Sequence, residues 1–216
     1  MTAAGGRWAR IGGACLVAAA LLFWLAWLLM PGVGVTDTDE IFRLVGAHRG
    51  RVLGSVVVQL VSAVLYVPAL IGVASDERIG AATGARAGAA LLGIGALGSA
   101  ADAVLHLLAY AMTAPGLDAA ALAPVMQFMQ GPGLRLLAPL LLAFFAGGAW
   151  LSVAAARAGI VSRADARLHL GALVMAILGG AAVKLGLGSA RDVGLAVLGL
   201  VVAAQAGIGA GLLRQK

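Results

Sequence analysis

The sequence predicts an all-α polytopic membrane protein: a six-transmembrane-helix bundle with two short amphipathic helices in the external loops. Three observations carry this. Hydrophobic residues make up 62% of the 216 and charged residues only 11%, where a soluble domain carries roughly 25% charged. Several apolar runs approach or exceed the roughly 20 residues that a membrane helix needs. The runs are rich in Gly, Ala and Leu and lack the strict alternation, over about 10 residues, of an outer-membrane barrel strand. The expected organisation is one integral domain over 1–216, with spans near 11–30, 51–74, 88–112, 134–156, 168–185 and 193–213.

Arg7 and Arg10 precede the first run, Ile11 to Met30. It is longer than the roughly 7–15-residue core of a signal peptide, and it ends in Met-Pro-Gly without a cleavage pattern, so it reads as a retained span. Placing the N-terminus inside leaves nine cations on the inner side (Arg7, Arg10, Arg78, Arg86, Arg157, Arg163, Arg167, Arg214, Lys216). Six fall outside: Arg43, Arg49, Arg51, Arg135, Lys184 and Arg191. That bias favours an inner-membrane protein with both termini in the cytoplasm. The net charge of +6 is spread over helix ends and forms no patch, which argues against nucleic acid. The single cysteine, Cys15, lies in the first run and reads as a packing residue.

The first external connection, 31–50, opens on Pro31-Gly32 and carries Thr36-Asp37-Thr38-Asp39-Glu40, an acidic helix start that suits the positive end of the helix dipole. Ile41, Leu44, Val45 and His48 follow at i, i+3, i+4 and i+7, one stripe expected to face the bundle. Arg43, Arg49 and Arg51 are expected to pair with the nearby acids. The second, 113–133, repeats the design: Pro115-Gly116 breaks the helix, Asp118 starts another, and Leu122, Val125, Met126 and Met129 give it an apolar side. Gly131-Pro132-Gly133 is expected to end it. Thioethers and imidazoles on this side would suit Cu(I), but only Met126 and Met129 are closely spaced.

The second span holds Ser55, Gln59, Ser62 and Tyr66, spaced 4, 3 and 4, hence on one helix face. The third holds Gly95, Ser99, Asp102, His106 and Tyr110, spaced 4, 3, 4 and 4. By the rise of 1.5 Å per residue, His106 and Asp102 lie about 10 and 16 Å from the outer end, and Gln59 and Ser62 about 12 and 16 Å. The two stripes are therefore expected to face each other. A carboxylate and an imidazole four residues apart on one face interact directly, and charged groups inside a bilayer mark sites or specific partners. Arg157, Arg163 and Arg167 crowd the loop after the fourth span. His169 in the fifth is expected at headgroup level, Lys184 is expected to snorkel outward, and Gln205 in the sixth is expected to make a helix contact.

The glycines sit inside spans and so form no nucleotide-binding loop, and neither His-Glu-x-x-His nor Gly-x-Ser-x-Gly occurs, so a non-catalytic role is preferred. The favoured reading is an outward-facing polar pocket that binds a hydrophobic or amphiphilic small molecule, in an accessory or transport-type subunit. Its lining would be Asp102, His106, Gln59, Ser62, Tyr66, Ser99 and Tyr110, with the two external helices as lids. The alternative is a redox protein in which His106 and His48 hold a b-type haem, or His106 contacts a quinone. Expected partners are the lipid bilayer and either other membrane subunits or further copies of the chain.

Overall fold

The computed structural model describes residues 3–214; Lys216, counted above among the inner cations, lies outside them. The chain runs as α1 (Ala3–Leu29), α2 (Thr38–Ala47), α3 (Arg49–Ser75), α4 (Glu77–Ala81), α5 (Ala85–Met112), α6 (Ala119–Phe128), a π-helical turn (Met129–Gly133), α7 (Leu134–Arg157), α8 (Arg163–Lys184) and α9 (Ala190–Leu213). The described residues include six helices long and apolar enough to cross a membrane and no strand. The protein is an all-α membrane bundle.

The long helices close a ring. α1 lies between α3 and α9, α5 between α3 and α7, and α8 between α7 and α9, while α7 also touches α9 directly. The pattern along α3 shows why. Val57, Val61, Val64, Val67 and Ile71 point outward and are exposed, whereas Ser55, Gln59, Ser62 and Tyr66 are buried. Lipid tails are as apolar as valine, so helices associate through close packing and hydrogen bonds rather than through apolar burial. Ser55 and Ser62 donate to the Ala26 and Ala19 carbonyls of α1, both at 2.7 Å, and Trp24 Nε1 donates to Leu195 O of α9 at 3.1 Å.

Small residues set how close the helices come. Gly12 of α1 faces Gly72 of α3, where a Cβ on Gly72 would stand 2.4 Å from the Cα of Gly12 and 2.6 Å from the Trp8 carbonyl oxygen. Both neighbours are backbone and have no flexible end to yield. Gly72→Ala is therefore expected to cost about 1–3 kcal/mol by overpacking, read as a lowered thermal midpoint of the detergent-solubilised protein. Gly46→Ala, where a Cβ meets nothing within 4 Å, should leave it unchanged.

α2 and α6 both lie at one end of the bundle, here the lid end. The Asp37 side chain caps α2 by accepting from Glu40 N at 2.8 Å, and Asp118 caps α6 by accepting from Ala120 N at 2.9 Å. Of the three arginines expected to pair with acids, only Arg43 does so. It donates to both Glu40 oxygens at 2.6 and 2.7 Å and holds that carboxyl below its usual range. Arg49 instead donates to Tyr110 O and to Thr113 Oγ1, each at 2.8 Å, with its guanidinium over the Tyr110 ring. Arg51 donates to Leu28 O.

Gly131-Pro132-Gly133 does not end the second lid helix. The backbone stays helical from α6 through the π turn into α7, because a widened turn absorbs the hydrogen bond that proline cannot donate. The continuous segment, Ala119–Arg157, has 39 residues and is about 58 Å long, nearly twice the roughly 30 Å of hydrocarbon. α6 thus extends beyond the span and meets α2 over the bundle. At the opposite end, the Gly-rich loop contains the short helix α4, capped by the buried Asp76, which accepts from Arg78 N and Ile79 N.

Candidate functional site

α3 and α5 meet as their polar stripes require. Gln59 Nε2 donates to Asp102 Oδ2 at 2.9 Å and to the Ser99 carbonyl at 3.1 Å, with Ser99 Oγ at 3.3 Å. Gln59, Ser99 and Asp102 are 1%, 2% and 6% exposed. His106, one turn nearer the lid end, places Nδ1 3.7 Å from Asp102 Oδ2. This is an ion-pair distance but not a hydrogen bond, and Nδ1 has no other partner. The Trp27 indole of α1 packs edge-on against the His106 ring at 5.7 Å.

Two cavities adjoin at this group. The larger, of about 310 Å³, lies under the lid helices. Asp102 and His106 supply its charge-bearing side chains, and Trp27, Met30, Val45 and Met126 represent its apolar wall. The second, of about 300 Å³, runs deeper and is lined by Gln59, Ser99, Asp102, Phe23, Phe144 and Leu198. Trp27, Val33 and Asp102 line both. The carboxylate thus sits where two apolar spaces meet. Sites for small molecules are of this kind: concave, about 300–1,000 Å³, mostly apolar, with a few placed polar groups.

The expected lining is brought together only in part. Asp102, His106, Gln59 and Ser99 converge. Ser62 is spent on α1, Tyr66 donates to Gln205 Oε1 of α9, and Tyr110 packs under Arg49; none of these three lines either cavity. The stripe of α2 divides likewise. Ile41, Leu44 and Val45 line the larger cavity, but His48 does not. Its Nδ1 lies 3.0 Å from the Leu44 carbonyl oxygen, an atom that can only accept, so Nδ1 carries the proton and closes the end of α2. His48 thus lines neither of the two cavities that adjoin Asp102, and no group of three or more His, Cys, Asp or Glu side chains that could hold a metal ion occurs among the described residues.

The α1 wall, Trp27 and Met30, was not foreseen. The signal was the Met30-Pro31-Gly32 break: a chain that leaves its helix there must pass over the neighbouring spans. His169, expected at headgroup level, is buried among the helices at 6% exposure, and its Nδ1 lies 3.0 Å from Ser152 Oγ. Lys184 is exposed at the end of α8, and the partner of Asp102 is Gln59. No family model matches the chain, and no curated protein or solved structure matches it with statistical significance.

Proposed function

We propose that the cavity under α2 and α6 binds a small amphiphile whose apolar body fills the space and whose hydrogen-bond-donating head, an ammonium above all, reaches Asp102. The carrying observation is a buried carboxylate with one amide donor at the junction of two apolar cavities. A carboxylate accepts through two oxygens, and Gln59 engages Oδ2. A cationic head would supply the opposite charge that a low-dielectric site favours. In this reading the lid end faces outward across an inner membrane with both termini in the cytoplasm. The chain then serves as a binding or transport-type subunit, not as an enzyme.

Trp27 lines both cavities and is a built-in reporter. Titrating the solubilised protein with a long-chain alkylammonium should give a saturable change in tryptophan emission, and a neutral alcohol of equal chain length should bind at least tenfold more weakly. Equal affinity for the two, or a change that never saturates, would sink the reading.

A further inference from the structure

The larger cavity holds two unspent hydrogen-bond acceptors, and their placement describes a head group more closely than charge alone does. His106 is partly open, with 24% of its side chain exposed, and the opening is toward the cavity. Leu105, His106 and Ala109 of α5 line it together with Asp102, while Val104, Leu107 and Leu108 form the exposed outer face of the same turns. Of the two ring nitrogens, Nδ1 is buried and faces Asp102 Oδ2 at 3.7 Å. A bare Nδ1 would turn its lone pair on the carboxylate, so in the neutral ring Nδ1 carries the proton and Nε2 is the acceptor. Nε2 makes no hydrogen bond and is not among the atoms buried without a partner, so it is open to the cavity. The same holds for Asp102 Oδ1, because Gln59 and His106 both lie against Oδ2.

The other polar side chains of the lining stand apart from this pair. Trp27 has its Nε1 buried, Thr36 precedes α2, and Gln130 sits in the π-helical turn after α6. Asp102 and His106 are four residues apart on one helix face, so their free acceptors stand side by side. One is charged and the other is not. A desolvated acceptor that meets no donor is costly, and an apolar tail laid against His106 would leave Nε2 in that state. A simple ammonium reaches Nε2 only by drawing an N–H away from the carboxylate. A hydroxyl on the next carbon reaches it while the charge stays on Asp102.

We infer that the ligand of this cavity is a long-chain vicinal amino alcohol, whose ammonium donates to Asp102 Oδ1 and whose hydroxyl donates to His106 Nε2. This rests on the amphiphile reading and narrows it: Asp102 reads the charge, and His106 selects the hydroxyl.

Calorimetric titration of the detergent-solubilised full chain with 2-aminododecan-1-ol and with 2-aminododecane compares two cations that differ by one hydroxyl. The amino alcohol should bind about fivefold more tightly, the gain from one net hydrogen bond. In His106→Phe, or in His106→Leu should the first variant fail to fold, the two affinities should agree within about twofold. The methyl ether of the amino alcohol, which keeps the oxygen and loses the proton, should bind the unaltered protein no more tightly than 2-aminododecane. Equal affinities of the alcohol and the amine in the unaltered protein would overturn the inference and leave the amphiphile reading standing. So would a preference that survives in the His106 variants, which would put the hydroxyl at Thr36 or Gln130, or an ether that binds as tightly as the alcohol. If neither cation gives a saturable heat, the amphiphile reading fails and the inference with it.

Discussion

Asp102→Asn should weaken binding of a long-chain alkylammonium by about 30-fold while leaving a neutral alcohol of equal length within about twofold. A hydrogen bond to a charged group contributes about 1.5–3 kcal/mol, and each 1.4 kcal/mol is tenfold in affinity, which brackets the loss between about tenfold and 100-fold. Asparagine keeps the shape of the side chain and one acceptor oxygen for Gln59 Nε2, now 2.9 Å from Asp102 Oδ2, so the cavity walls should not move. Fluorescence titration of both ligands against both proteins measures the difference. Equal losses for cation and alcohol would mean that Asp102 shapes the cavity without reading charge.

The class of fold could be read from the chain because it rests on lengths and periods. Apolar runs long enough to span, and polar residues spaced 4 and 3 on α3 and α5, dictate which faces turn inward whatever the neighbours are. That the two stripes face each other followed from depth, since antiparallel helices of equal rise bring equal distances from one end together. Depth sets Asp102 level with Ser62, however, which bonds to α1 instead and leaves the carboxylate to Gln59. What could not be read depends on a third or fourth helix. Tyr66 continues the α3 stripe, but the ring places α9 beside α1, and the partner of Tyr66 is Gln205. His169 lies six residues into α8, close enough to a basic loop to suggest the headgroups. It is buried because α7 offers Gly148 and Ser152 at its level, and a bulkier residue at 148 would meet the imidazole. Gly131-Pro132-Gly133 reads as a stop on local propensity. The chain instead widens one turn and continues, because α6 has α2 to pack against.

Gln59→Leu should be the more damaging change to stability, although it removes an uncharged group. The amide is the hydrogen-bond donor to a carboxylate that is 6% exposed, and His106 Nδ1 at 3.7 Å is too far to replace it. A buried charge stripped of its partner costs about 3–5 kcal/mol, and the variant should lose most of that, read as a lowered thermal midpoint or as failure to extract as a monodisperse species. Replacing both partners by apolar groups is often nearly neutral, so Gln59→Leu with Asp102→Leu should recover to within about 1 kcal/mol of the starting protein. The cycle separates two accounts of the pair. Recovery means that the fold does not need these polar groups, and their presence across α3 and α5 is then explained by what occupies the cavity. A double variant as unstable as the single one would mean that the hydrogen bond itself sets the register of the two helices, with Asp102 kept for packing rather than for a ligand.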